Sequence, residues 1–412
     1  MSEAPAAATG PATETFDALD RALRESGAAA ATELLVRRLD ESRDYRALLD
    51  ALLLKARHDL GLPLVQVEGS AGLPEDLRAA YEERYVEAIR TVGNKLLAAG
   101  EIPGAFPYFR AIGETEPVVR AIEAYEPAEG DERIGQIVEV AFNQAAHPRK
   151  GFELILKHYG TCSAITAFEH LPRDEATRQS CADRLVRQLH EHLVANLRSE
   201  IAQRGQPLPP EGTPIGELVE GRDWLYADEA YHIDVSHLSS TVRVSPLLDD
   251  PATIALAAGL TEYGRRLSVR HRYEGDPPFE DVYADHGVYL KAVLGEDVEA
   301  AIAHFRGKLV PTPLPDQTET EADPEFYDAG RNNAVVAQVL VGLLVRLGRL
   351  DEAIDVASEY LTGLPESSLF CPGVSQLCQR AGQPARLARI SRAHGDLVQY
   401  TAAILQAGPQ TP

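Results

Sequence analysis

The chain has 412 residues, 44% apolar and 25% charged, enough for a large core or an extended array of small units. Its 40 Lys and Arg stand against 63 Asp and Glu, a formal charge of -23. Such a surface repels nucleic acid and anionic membranes, and the longest basic cluster read against it, His147-Pro148-Arg149-Lys150, is too short to override it.

Ala, Leu, Arg and Glu dominate the composition. All are good helix formers, and period-two alternation is nearly absent, so an all-α fold is expected. Residues 1–14 are mostly Ala, Pro, Thr and Gly and are expected to form a disordered tail. No basic region followed by an apolar run opens the chain, so no signal peptide is expected. Helix is predicted from Thr15, with Phe16, Leu19 and Leu23 on one face and Gly27 ending the run. Further helices are predicted through Leu54 and over residues 73–99. The stretch 206–214 holds four prolines, which cannot continue a helix. It divides an N-terminal helical region, 15–204, from a C-terminal one, 223–412, with 205–222 as a Pro-rich linker. A second break, residues 310–324, reads as an exposed loop. The longest apolar stretch, 334–345, is interrupted by Gln338 and is too short to span a bilayer. A cytoplasmic location follows as the default. The four cysteines, Cys162, Cys181, Cys371 and Cys378, do not make a disulfide scaffold in a chain of this length and are expected to be buried thiols.

Two segments show the spacing of closely crossing helix pairs. Residues 92–117 carry Gly93, Leu96, Gly100, Ile102, Ala105, Phe109, Ile112 and Pro117. Residues 340–365 carry Leu340, Leu344, Gly348, Leu350, Ala353, Ala357 and Pro365. Gly100 and Gly348 read as the stops of first helices, Ala105 and Ala353 as small residues where the second helix crosses, and Pro117 and Pro365 as the ends of second helices. Val341 and Tyr360 stand where the pattern has small residues. These segments resemble tetratricopeptide repeats. Weaker units are read over 288–309, around Gly295 with Ala300, Ala301 and Phe305 buried, and over 370–405, around Gly382. The resemblance implies an irregular α-solenoid of stacked helix pairs, in which first helices line a concave face.

Motifs that carry chemistry are few. His190-Glu191-His192 has the wrong spacing for two ligands on one helix face, and there is no phosphate loop or nucleophile elbow. In His158-Tyr159-Gly160-Thr161-Cys162, Gly160 and Thr161 read as helix stop and N-cap. Trp224, the single tryptophan, lies close to Tyr226 and Tyr231. The densest polar cluster is His232, Asp234 and His237. Its ring-x-Asp-x-small spacing recurs at Tyr283, Asp285 and Gly287 and again at Phe326, Asp328 and Gly330. As capping residues the three aspartates would accept hydrogen bonds from first-turn amides. As a site, His232, Asp234, His237, Asp285, His286, Arg331 and Asn332 would converge on one groove from adjacent first helices. Such a groove would bind a protein or peptide partner, a small polar ligand or a metal ion.

Three functions are therefore expected as alternatives. One is a protein-binding scaffold. Another is a metal-dependent or general acid/base enzyme centred on the His/Asp cluster. The third is a self-assembling structural protein. The sequence assigns no cofactor.

Overall fold

The computed structural model describes residues 11–64, 75–128, 130–310 and 324–407, without the side chains of 11–13, 75, 76 and 324–331. The expected disordered tail therefore lies mostly outside the described residues, as does the loop expected between 310 and 324. Among the described residues the protein is all-α. Extended pairing is limited to one isolated bridge between Glu274 and Asp281. No helix among them is long and apolar enough to cross a membrane.

The chain forms two compact units, residues 1–158 and 159–412. The first contains α1 (Pro11–Glu41), α2 (Tyr45–Asp59), α3 (Glu75–Ala98), α4 (Ile102–Ala111), α5 (Glu116–Glu123) and α6 (Ile134–Val138). Each of α1 to α4 packs on the next in the chain, and α5 closes against α3 and α4. The division falls inside α7 (Pro148–Glu169), which Gly160 interrupts with φ 83° and ψ 178°. Gly27 interrupts α1 in the same way, at φ 87° and ψ 179°. That backbone region is essentially confined to glycine, so both predicted helix stops are breaks between two helical limbs.

The second unit is organised around α8 (Glu175–Gln203). Its Leu185, Leu189, Leu193, Leu197 and Ile201 recur every four residues and are all buried, so one apolar stripe runs its length. Asp174 caps its start, accepting from the Thr177 amide at 2.8 Å. The proline-rich stretch lies within this unit and leads into α9 (Ile215–Val219), whose Ile215, Leu218 and Val219 are buried. Then follow α10 (Val235–Val244), α11 (Pro251–Gly264), α12 (Val282–Val293), α13 (Val298–Gly307), α14 (Pro324–Arg346), α15 (Leu350–Tyr360), α16 (Val374–Arg380), α17 (Pro384–Ala393) and α18 (Leu397–Ala407). From α10 onward each helix packs on its successor, as expected for stacked helix pairs, and α10 and α11 also pack on α8.

The four predicted turns share one structure. At Gly100 the glycine is left-handed at φ 79°, its amide bonds the Leu97 carbonyl, and the Glu101 amide reaches back to the Leu96 carbonyl at 2.9 Å. Gly348 repeats this with Val345 and with Leu344 to Arg349, and the turns at Gly295 and Gly382 carry the same two bonds. The pattern satisfies the last carbonyls of the first helix while reversing the chain. Ala105, Ala353 and Phe305 are fully buried, as the crossing requires. Three local expectations are corrected. Pro117 lies in the first turn of α5 and opens that helix rather than closing α4, consistent with the fit of proline at a helix start. Ala300 is exposed, because α13 turns Ala301 inward instead. Of the cysteines, Cys181 and Cys378 are buried, but Cys162 is exposed and Cys371 half-buried.

Candidate functional site

The predicted polar residues fall into separate local arrangements. Asp234 is the N-cap of α10: its Oδ1 accepts from the Ser236 and His237 amides at 2.8 and 3.1 Å and from the Ser236 hydroxyl at 2.5 Å. These bonds, the hydroxyl first among them, hold its carboxyl below the usual range. His232 is anchored by the buried Tyr263. Its main-chain amide donates to the tyrosine hydroxyl at 2.7 Å, and its Nδ1 lies 3.0 Å from the same oxygen. The hydroxyl carries one proton and two lone pairs, so it accepts from the amide and can still serve Nδ1 of the neutral ring in either tautomer. Burial lowers the pKa of His232, which favours this neutral ring. His232 and Asp234 share a shallow hollow of about 520 Å³ with Asn196, Glu200 and Tyr231.

Asp285 does not repeat the role of Asp234. The cap of α12 is Asp281, whose Oδ1 accepts from the Ala284 amide at 3.0 Å. Asp285, one turn further in and buried, reaches back to the Asp281 amide at 2.9 Å. Its Oδ1 accepts from His304 Nε2 at 2.7 Å, and its Oδ2 lies 3.0 Å from Lys308 Nζ. A buried carboxylate held by an amide, an imidazole and an ammonium ties the start of α12 to α13 and the residue that follows it. His286 is buried beside it and serves another neighbour. Its Nδ1 donates to the Val282 carbonyl at 2.7 Å, and its ring stacks on Phe279 at 4.0 Å between centroids. Burial depresses its pKa to about 4. Asn332 is exposed, while its neighbour Asn333 is buried and bonds both the amide and the carbonyl of Val310. The side chains of Arg331 and Asp328 lie outside the described residues. Among the described residues, no group of three or more His, Cys, Asp or Glu is arranged to hold a metal ion.

A larger feature of the same unit escaped the sequence reading. A cleft of about 590 Å³ is bounded by the first turn of α8, by a 3-10 turn at Ser245–Leu247, and by α12, α14, α16 and the loop 366–373. Tyr289 projects from α12, Gln338, Gly342 and Arg346 from α14, and Gln376 and Arg380 from α16. Two long polar side chains hold its walls. Arg346 donates to the Pro246 carbonyl at 2.9 Å and to the Leu248 carbonyl, fastening the 3-10 turn to α14. The buried Gln338 accepts from the Phe370 amide at 2.8 Å and donates to the Ala334 carbonyl at 3.2 Å, fastening the loop. The Phe370 ring itself stays exposed on the cleft rim. Cys371 also lines the cleft, but burial pushes its thiol up to about 12, far from an activated thiolate.

Gly342 sits in the interior of α14 with a helical backbone, and a methyl group placed on it would meet nothing within 4 Å. Neither chain reversal nor internal packing therefore calls for glycine there. Two sequence signals pointed to this region: a glutamine inside an apolar helical run, and a glycine four residues after it.

No protein-family model matches the chain, and no curated protein matches it in sequence.

Proposed function

We propose that the chain is a peptide-binding helical-repeat protein of tetratricopeptide-like architecture, and that the cleft between α12, α14 and α16 is its working surface. The observation that carries this reading is the origin of the cleft wall. Three successive helix pairs, α12/α13, α14/α15 and α16/α17, each contribute their first helix to it. First helices form the ligand face in arrays of this kind. The volume, about 590 Å³, falls in the range of ordinary ligand pockets and suits a few residues of an extended segment. Its lining suits a peptide as well. Phe370 and Tyr289 offer aromatic surface to side chains, and Arg380 and Gln376 offer polar groups to main-chain carbonyls and carboxylates. Of the groups proposed from sequence for acid/base chemistry, Asp234 serves as a cap, Asp285 in an ion pair and His286 in a ring stack.

Selection from a displayed random-peptide library tests the proposal. Enriched peptides are expected to lose binding to Gly342→Trp, which fills the cleft, and to Arg380→Glu, with both variants melting as the wild type does. Enriched peptides that bind both variants normally place the working surface elsewhere.

A further inference from the structure

The first and last helices described depart from the rule that a surface helix turns its apolar stripe inward. In α1, the limb before Gly27 has no buried side chain from residue 14 to residue 26. Thr15, Ala18, Leu19 and Ala22 are half-buried on one side. Phe16 is 66% and Leu23 52% exposed, and with Asp20 they form a second stripe at i, i+4 and i+7. Glu14, Asp17, Asp20 and Glu25 outnumber Arg21 and Arg24, so the limb is net acidic, most strongly at its start. A helical limb this short and this thinly packed is marginal without a partner.

The last helix, α18, is the counterpart. It buries Ala403 while the opposite side carries Leu397, Val398 and Leu405, which are 78%, 81% and 76% exposed. Its neighbour α17 is basic. Arg386 is engaged by Asp351 and Asp355, but Arg389 and Arg392 are exposed and make no ion pair among the described residues. Residues 380–394 hold four arginines and a histidine with no carboxylate, in a chain whose formal charge is -23. This cationic cluster is one that the sequence reading passed over.

We propose that the exposed face of α18 receives the α1 limb of a second copy of this chain, so that molecules join head to tail. Phe16 and Leu23 would pack on Leu397, Val398 and Leu405, with Asp17 and Asp20 toward Arg389 and Arg392. The choice of occupant rests on complementarity. The two faces match in apolar content and oppose in charge, whereas pairing like with like would set Arg392 against Arg392 or Asp20 against Asp20. A head-to-tail contact is heterologous, so assembly proceeds to closed rings, of two copies or more, or to open chains as concentration rises. The proposal is independent of the cleft.

Sedimentation velocity of the full chain over a concentration series is the test. It uses a head variant, Phe16→Glu with Leu23→Glu, and a tail variant, Val398→Glu with Leu405→Glu. All four positions are solvent-exposed, so both variants should melt as the wild type does. The wild type is expected to associate with concentration, into a reciprocal dimer or larger, and each variant to stay monomeric. An equimolar mixture of the two should form a dimer and nothing larger, because it retains one intact head and one intact tail. Charge reversal gives an independent check: Arg389→Glu with Arg392→Glu abolishes assembly, and mixing with the Asp17→Arg, Asp20→Arg variant restores it by alternation of the two, because each head then faces a tail of opposite charge. A wild type that remains monomeric overturns the proposal, even if it sediments with anionic vesicles. So does a head variant that dimerises alone through its tail, or a mixture that stays monomeric.

Discussion

The pairs α3/α4 and α14/α15 solve one packing problem with the volumes exchanged. Counted from their turn glycines, Gly93 corresponds to Val341, Ala105 to Ala353 and Phe109 to Ala357. In the first pair a Cβ built on Gly93 would lie 2.7 Å from Phe109 Cε2, so the ring occupies the space that the glycine leaves. In the second pair Val341 brings the bulk and Ala357 yields, and both are fully buried. What the crossing conserves is the summed volume, so a departure at one position is harmless when its opposite departs the other way. The surroundings of the pairs also differ. Among the described residues, α3 and α4 bury no polar side chain, whereas α12 and α14 bury Asp285, His286, Asn333 and Gln338. Asn333 holds the chain at Val310, Gln338 holds a wall of the cleft, Asp285 holds α13 through His304, and His286 bonds the Val282 carbonyl of its own helix while stacking on Phe279.

The volume exchange can be broken directly, with the largest expected effects. Phe109→Ala should destabilise by about 3–5 kcal/mol through the cavity it leaves. Gly93→Val should cost about 1–3 kcal/mol by overpacking against that ring. Combined, the two substitutions convert the first crossing into the second, and the double variant should be more stable than the sum of the singles predicts, by at least about 1 kcal/mol. Ala357→Phe with Val341→Gly is the reciprocal cycle. Urea unfolding followed by circular dichroism measures both, and strict additivity would show that the two crossings are not equivalent.

The polar side of the comparison has a pH signature. Burial holds His286 at a pKa of about 4, against 6.5 for the free side chain. Between these values the unfolded chain binds a proton that the folded chain refuses, so stability falls as pH drops from 6.5 toward 4 and the effect is complete below 4. The contribution is on the order of 3 kcal/mol. His286→Gln keeps a donor for the Val282 carbonyl but cannot titrate. Its stability should therefore fall less steeply than that of the wild type over the same interval. Parallel curves would show that the imidazole gains its proton without unfolding.

The helix pairs were legible because each is marked locally. Gly100, Gly295, Gly348 and Gly382 punctuate the turns, and Ala105 and Ala353 sit where only a small residue fits. Asp234 was legible as a cap for the same reason. Asp285 was misread because two aspartates stand four residues apart. Either can cap a helix, and here Asp281 does so while Asp285 pairs with Lys308. That partner is distant in sequence and belongs to the tertiary structure. The cleft was illegible for a stronger form of the same reason, since its walls come from segments between Glu175 and Arg380 that only the packing of the helices brings together. Cys162 was expected in the core, but it lies just after the break at Gly160 and is exposed.

The smallest expected effect is the most informative about the cleft. Glycine inside a helix costs about 1 kcal/mol relative to alanine, because it loses more backbone freedom on folding. At Gly93 that cost is offset by the Phe109 ring, which needs the space. At Gly342 nothing among the described residues, its own helix backbone aside, comes within 4 Å of an added methyl group, so Gly342→Ala should stabilise the protein by about 0.5–1 kcal/mol. If the glycine admits a bound peptide's main chain to the floor of the cleft, the same methyl group should weaken cleft-dependent peptides while the melting temperature rises. Stability and binding would then move in opposite directions, as when a site is maintained at the expense of the fold. A variant that gains stability and binds unchanged would leave Gly342 outside the contact. One that loses stability would mean that the helix at this point is under a constraint other than helix propensity.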